Sequence, residues 1–594
     1  MWGMYKWLFV YFLFLAGVKC SDITKLIFGS NTNGMPAAFG DFDSDELTDV
    51  FVIQDNGTAI EILLAHEEEP ILRSAKPKPL RCVFNHSKIT SVVPGDFDGD
   101  AFMDVLVTTL KRNRSNVTNV HILWGGATHL DCSDEHILEM IGQPLAIDVN
   151  QDMIVDLFGE NLHQKRVFWI FGKDRERPKE EKMEDNKQPL KPLKKPHSHA
   201  FLDLNDDYTA DLFITTQGDF EIWHGTEDSR RFIFNRSIPL PFPSPSYIGQ
   251  ASFIDAELRE RMDLLIPVCV DNKQECHNSK LMMYSEDNWH DLLVDFKDPN
   301  GVTWRFAQND GGRYTNVITL YHGDFNMDGY PDILTTLSPV DNYHPQSFLL
   351  ENVASPTARG NHKRTYVVRW NALNPFTNGT VLATFFDLYQ DGILDVILVT
   401  FDGKEYKSAA FKNSLDYDAN FIKVMVLTGL TNKNNQMIMG RVGKKRRTYG
   451  TNLPGPRISY STTTQEGNLR HAAAAQLPQS AHFSLNLPYT IFGLGRTPNF
   501  VDFLTVGLSN HSKDWPQIIP NSQMVVIPWP PSEPNKWRAQ LFVTPSKLIL
   551  MSVAALTGVC GLITLLIGVL YWKERQEDKK ERLSESHRFH FDAM

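Results

Sequence analysis

The stretch GDFDGDAFMDVLVT (residues 95–108) sets Asp96, Asp98, Asp100 and Asp104 at loop positions 1, 3, 5 and 9, then turns apolar. Carboxylates held this close repel one another, so a positive charge is expected among them. A hard divalent cation suits the donor set, because Ca²⁺ takes about six to eight oxygens from carboxylates, amides and backbone carbonyls. Position 7 need offer only its backbone C=O, which is why Leu47, Phe102, Ile154 and Tyr330 can stand there. An EF-hand would add a bidentate Glu at position 12 between helices. Position 12 of the first copy is Val52, inside a strand-like run.

The pattern D-x-[D/N]-x-D-x-x-x-D returns along the chain. Asp41, Asp43, Asp45 and Asp49 form a second all-carboxylate set. Asp148/Asn150/Asp152/Asp156, Asp203/Asn205/Asp207/Asp211 and Asp324/Asn326/Asp328/Asp332 each exchange one carboxylate for an amide, which still offers an oxygen. Asp387, Asp391 and Asp395 make a weaker candidate, with Tyr389 at position 3. A degraded copy begins at Asp255 and carries Glu257 at position 3 but Arg259 at position 5, so no metal is expected there. The other copies are read as structural Ca²⁺ sites. The plainer alternative is a set of Asx-stabilised polar turns.

Repeats starting at 41, 96, 148, 203, 255, 324 and 387 need elements that place each loop alike. Each copy runs into a short Val/Ile/Leu/Phe-rich segment (DVFVI, DVLVT, DLFGE, DLFIT, DLLIP, DILTT, DVILV), the signature of a strand. A unit of this length holds about four strands, and four-stranded sheets repeated radially make a β-propeller. The expectation is therefore an all-β, seven-bladed propeller over residues 21–413. A β-solenoid has a much shorter period, and helical repeats do not fit strand-like segments punctuated by Gly, Asn and Pro.

Both ends of the chain carry apolar runs. Residues 1–20 hold Lys6 and a short apolar stretch, read as a secretory signal cleaved near residue 20. Residues 548–572 are uncharged and long enough to cross a bilayer. Lys573, Arg575, Lys579, Lys580 and Arg582 follow, which puts the tail, 573–594, on the cytoplasmic side. The expectation is a single-pass type I protein of the plasma membrane with its N-terminus outside the cell. Sequons at Asn56, Asn85, Asn113, Asn116, Asn235, Asn378 and Asn510 all precede the span. Cys269 and Cys276 bracket a short polar loop and are expected to pair, which leaves Cys82 for Cys132 by elimination. The net charge of −12 argues against a nucleic-acid partner.

The phrases FGDFDSD (39–45) and HGDFNMDG (322–329) resemble the FG-GAP repeats of integrin α-subunits, a resemblance that implies calcium in such loops. After residue 413 the rhythm changes. Residues 414–527 form a β-rich stretch similar to the ASPIC/UnbV module at Gly455-Pro456-Arg457, Gln479-Ser480, Phe492–Gly495 and Val501-Asp502. It departs from that module at Val506-Gly507-Leu508, where Trp-Pro is usual. Residues 528–547, opening with the proline-rich PWPPSEP (528–534), read as a short stiff stalk to the membrane. The whole order of parts resembles the Linkin family. That resemblance implies a cell-surface glycoprotein acting in cell adhesion and modulation of T-cell responses, with an extracellular protein partner and cytoplasmic contacts to RuvB-like ATPases and tubulin. No G-x-S-x-G elbow, H-E-x-x-H helix, Walker loop or C-x-x-C pair occurs, so binding rather than catalysis is expected. The alternatives are a propeller hydrolase of the secretory pathway and a ligand shed from the membrane, for which the KKRR run at 444–447 is a candidate cleavage loop.

Overall fold

Every acidic loop closes a β-hairpin, and the aspartate at position 9 is the first residue of its second strand. Those strands are Asp49–Gln54, Asp104–Lys111, Asp156–Glu160, Asp211–Thr215, Asp263–Cys269, Asp332–Pro339 and Asp395–Phe401. Their antiparallel partners are Met35–Gly40, Ser87–Gly95, Leu138–Ile147, Ala200–Leu202, Ser252–Ile254, Tyr321–Gly323 and Thr380–Phe386. Both strands of the first hairpin are apolar and almost wholly buried, so neither face is left to water.

The computed structural model describes residues 22–589 apart from 112–116, 184–189, 227–230, 244–245, 272–275, 308–313, 315–316, 356–362, 374–377, 414–418, 433–437, 440–444, 447–448, 465, 480–482, 497–499 and 544–546. The expected signal, Asn113 and Asn116 lie outside the described residues. Among the described residues strand accounts for 48% and helix for 9%, which makes the protein all-β. Residues 22–411 fold as a β-propeller whose hairpins do not all stay in separate sheets. The second and third repeats share one seven-stranded sheet. Leu138–Ile147 is long enough to pair with Thr118–Leu123 at one end and with Asp156–Glu160 at the other. Gly142, at φ 83°, lets it bend between the two.

The first and last repeats meet. The segment after residue 21 runs beside Tyr406–Phe411, with bridges Asp22–Phe411 and Asn33–Lys407. The short helix Thr24–Phe28 buries Ile27 and Phe28 beneath it.

Beyond the propeller, two four-stranded sheets form a sandwich. One contains Thr490–Gly495, Asn420–Val426, Ser522–Ile527 and Arg538–Val543; the other contains Leu469–Ala475, Arg457–Thr463, Val501–Leu508 and His511–Ile518. Val424, Val426, Ile458, Leu504 and Met524 pack between them. The stalk reading of 528–547 fails over most of its length. Arg538–Val543 is a strand of the sandwich, and Trp537 is 2% exposed, clustered with Phe97, Leu430 and Leu508. Proline density mimics a spacer, but here the prolines shape a turn whose buried Trp537 donates its ring N–H to Pro530 O at 2.9 Å.

A second compact unit, residues 543–594, holds the helix Lys547–Phe589. Its Met551–Ser584 stretch is long and apolar enough to cross a membrane.

Candidate metal centre in the acidic loops

Seven loops share one backbone. Positions 4 and 6 are left-handed in each: Ser44/Glu46, Gly99/Ala101, Gln151/Met153, Asp206/Tyr208, Leu258/Glu260, Met327/Gly329 and Gln390/Gly392. Side chains other than glycine adopt this region at a cost of about 1 kcal/mol each, so the turn must be held from within. The position 1 carboxylate holds it. Asp41 accepts the amides of Asp45 and Glu46 at 3.0 and 2.9 Å, and Asp255 accepts those of Arg259 and Glu260 at 2.7 and 2.8 Å. Position 9 ties the loop to the strand beyond. Asp49 accepts from Phe42 and Ala65, Asp104 from Phe97 and Gly125, and Asp156 from Val149 and Phe171. The turn geometry thus persists in the degraded copy, where the ligand set does not.

Two loops bring three carboxylates to one point. In Asp41/Asp43/Asp49, and again in Asp96/Asp98/Asp104, one oxygen from each side chain lies within 4.8 Å of the others. Asp45 and Asp100 stand outside these trios, and each caps the amide two residues on, at Leu47 and Phe102. Burial, then repulsion from neighbouring aspartates, pushes Asp96 up to about 8 and holds Asp41, Asp49 and Asp104 well above the usual carboxylate range. Asp43 Oδ1 is buried without a hydrogen-bond partner among the described residues, as is Asp324 Oδ1 in the sixth loop. The all-oxygen donor set fits calcium. In the third loop Asn150 donates to Asp152 at 2.9 Å, and burial raises Asp148 to about 7 and Asp156 to about 8.

The remaining loops each carry a side-chain cation, and apart from Arg259 at position 5 of the fifth loop the spacing does not reveal it. Arg457 from the sandwich reaches Asp203 at 3.3 Å and also pairs with Asp206 in the fourth loop. Arg259 serves the degraded fifth loop from within, meeting Glu257 at 3.7 Å and Asp263 at 3.8 Å. Arg470 donates to the backbone carbonyl of Asp328 in the sixth. Lys423 pairs with Asp387 at 2.8 Å in the last, both side chains almost wholly buried. Even the second loop meets a guanidinium, as Arg175 lies 2.7 Å from Asp98, though Arg175 is half exposed. Asp207, Asp211, Asn205, Asn326, Asp332, Asp391 and Asp395 complete their loops, with Asp211 facing His224 at 3.2 Å and Asp395 accepting the amide of Asn413.

Elsewhere, disulfides join Cys82 to Cys132 and Cys269 to Cys276, with Cα atoms 5.4 and 4.8 Å apart. Asn56, Asn85, Asn235, Asn378 and Asn510 are all exposed.

A propeller with carboxylate-lined hairpins, a β-sandwich and, among the described residues, one helix long and apolar enough to span a bilayer define a class of repeat proteins. Residues 448–542 match the family model described as "ITFG1, C2 domain", so the stretch read as ASPIC/UnbV-like matches a C2 module instead. The chain is 38% identical to the human T-cell immunomodulatory protein, over 96% of this chain and 94% of that one. It is 28% identical to protein linkin of Caenorhabditis elegans, over 94% and 95%, and 26% identical to a T-cell immunomodulatory protein homolog of Plasmodium falciparum, over 93% and 87%. The chain belongs to the T-cell immunomodulatory protein family. A solved structure titled "Structure of Dos1 propeller" aligns at TM-score 0.30 and 7% identity, covering 61% of this chain and 75% of that one.

Proposed function

We propose that this is a type I cell-surface glycoprotein that works by binding, with a propeller of seven repeat units made rigid by calcium and presenting its loops to a protein on another cell. The names of its relatives point to T cells as the responding partner, and the single apolar helix supports anchoring in the plasma membrane. One observation carries the calcium part: in the first two loops three carboxylates each converge within 4.8 Å on buried ground. Asp41, Asp43 and Asp49, and Asp96, Asp98 and Asp104, would hold the metal. Bound calcium supplies the positive charge that lets these groups stay ionised while buried. The protein's own part is to fix the hairpin through the amides given to positions 1 and 9, so that the loop tips stay in place when a partner arrives.

The test joins stability to binding. Calcium at a hundred times its Kd stabilises the folded form by about 2.7 kcal/mol per site, so chelation should lower the melting temperature of the purified protein. Asp43→Asn and Asp98→Asn should blunt that response. The extracellular part, fluorescently labelled, should stain T cells in calcium and lose staining in chelator. Identical melting and identical staining under both conditions would end the proposal.

A further inference from the structure

We propose that the C2 sandwich competes with calcium for the acidic face of the propeller: Arg457, Arg470 and Lys423 are the resident cations of the fourth, sixth and seventh loops, and calcium is admitted to the first two. The calcium half rests on the reading above; the docking half stands on contacts alone.

Three basic side chains from one module enter three repeats of another, each at the loop. Arg457 also donates to the backbone carbonyl of Glu260, so its guanidinium spans two adjacent repeats, and its side chain is 10% exposed. Lys423 sits 2.8 Å from Asp387 and 2.9 Å from Gln390 Oε1, with its ammonium 4.0 Å from the ring centre of Tyr489. The sandwich backbone joins in, as Gly493 donates to Asp324 at 3.0 Å and Ala473 to Asp255 at 3.2 Å. Exposed ion pairs contribute little, but Lys423–Asp387 and Arg457–Asp203 are enclosed, and stripping one partner from such a pair leaves a buried charge unmatched. The turn itself does not need metal, since its left-handed positions survive in all seven copies. In the fourth and seventh loops the sandwich brings a cation to the position 1 carboxylate, and in the sixth to the position 5 carbonyl. Calcium entering the fourth loop must displace Arg457, so binding there and docking of the sandwich oppose each other by the same factor.

The decisive measurement is the number of ⁴⁵Ca²⁺ ions held by the full chain in detergent at equilibrium dialysis. Asp207→Asn alone should leave that number unchanged, because the fourth loop is closed to metal. Arg457→Gln should raise it by one, and adding Asp207→Asn should remove the gain. A lower count in Asp207→Asn alone, or no gain in Arg457→Gln, overturns the competition. If the natural chain holds no calcium, the metal reading fails and docking is judged separately. Arg457→Gln with Lys423→Met should then speed tryptic separation of propeller from sandwich at least tenfold, and an unchanged rate overturns the docking as well.

Discussion

His197 shows how a buried group sets the response to acid. It is 4% exposed, stacks on His199 at 3.9 Å between ring centres and meets Gln143 O at 2.6 Å. Burial, with Lys195 adding to it, holds its imidazole down to about 4, against 6.5 in an unfolded chain. As pH falls below 6.5 the unfolded chain takes up the proton first. The stability this residue contributes is therefore present at neutral pH and is lost towards pH 4, by roughly 3 kcal/mol. The loop aspartates run the other way. With Asp96 and Asp156 raised to about 8, the metal-free fold loses stability as pH rises from about 4 to that value, a penalty calcium offsets. Melting curves from pH 7 to 4 in calcium should fall more steeply for the natural chain than for His197→Asn, and equal slopes would remove His197 from the account. The aspartates were readable because their spacing is local and repeated. The cations that meet them were not, since Arg457 lies 254 residues from Asp203 and Arg470 lies 142 from Asp328. No periodicity reports a contact between modules.

Strands announced themselves through Val/Ile-rich runs behind each loop, and every expected second strand is present. Two connections escaped notice for separate reasons. The seven-stranded sheet depends on one strand pairing twice, which composition does not encode. The segment around Trp537 looked like a spacer because proline is common both in stiff linkers and in turns, and only burial of the tryptophan separates the two. The disulfides give a test of how strands and loops are stapled. Cys82 lies on the short strand Arg81–Val83 and Cys132 is 50 residues on, whereas Cys269 ends a central strand 7 residues before Cys276. Loop-closure entropy grows with the logarithm of loop length, giving about 4 kcal/mol for the first bridge and about 2 kcal/mol for the second. Replacing Cys82 and Cys132 by Ala should therefore lower the urea midpoint more than the same change at Cys269 and Cys276. The reverse order would mean that native packing around the short loop, rather than chain entropy, dominates.

A propeller fails at the point where its chain begins and ends, because an open seam exposes strand edges to aggregation. Here the seam is closed by residues 22–34 lying against Tyr406–Phe411, a pairing between opposite ends of the repeat array that no motif search could find. Ile23 donates to Ala410 O at 3.1 Å, Gly34 to Tyr406 O at 2.8 Å and Ser408 to Thr32 O at 2.9 Å, while Ala410 donates to Thr24 Oγ1 at 3.1 Å. Ile27 is fully buried at the centre of this closure and Phe28 nearly so. Truncating Ile27 to Ala should cost about 2–5 kcal/mol if the site behaves as core. The loss should also be local before it is global, since the short helix that carries Ile27 lies on the closing segment and not within the sheets. Hydrogen exchange at the amides of Ser408 and Ala410 should accelerate in Ile27→Ala, while those of Val105 and Val107, on a strand buried within the seven-stranded sheet, should keep their protection. Uniform acceleration at both places would mean that the ring opens only by unfolding throughout. Unchanged exchange at Ser408 and Ala410 would show that the N-terminal segment is an appendage and that the last sheet closes without it.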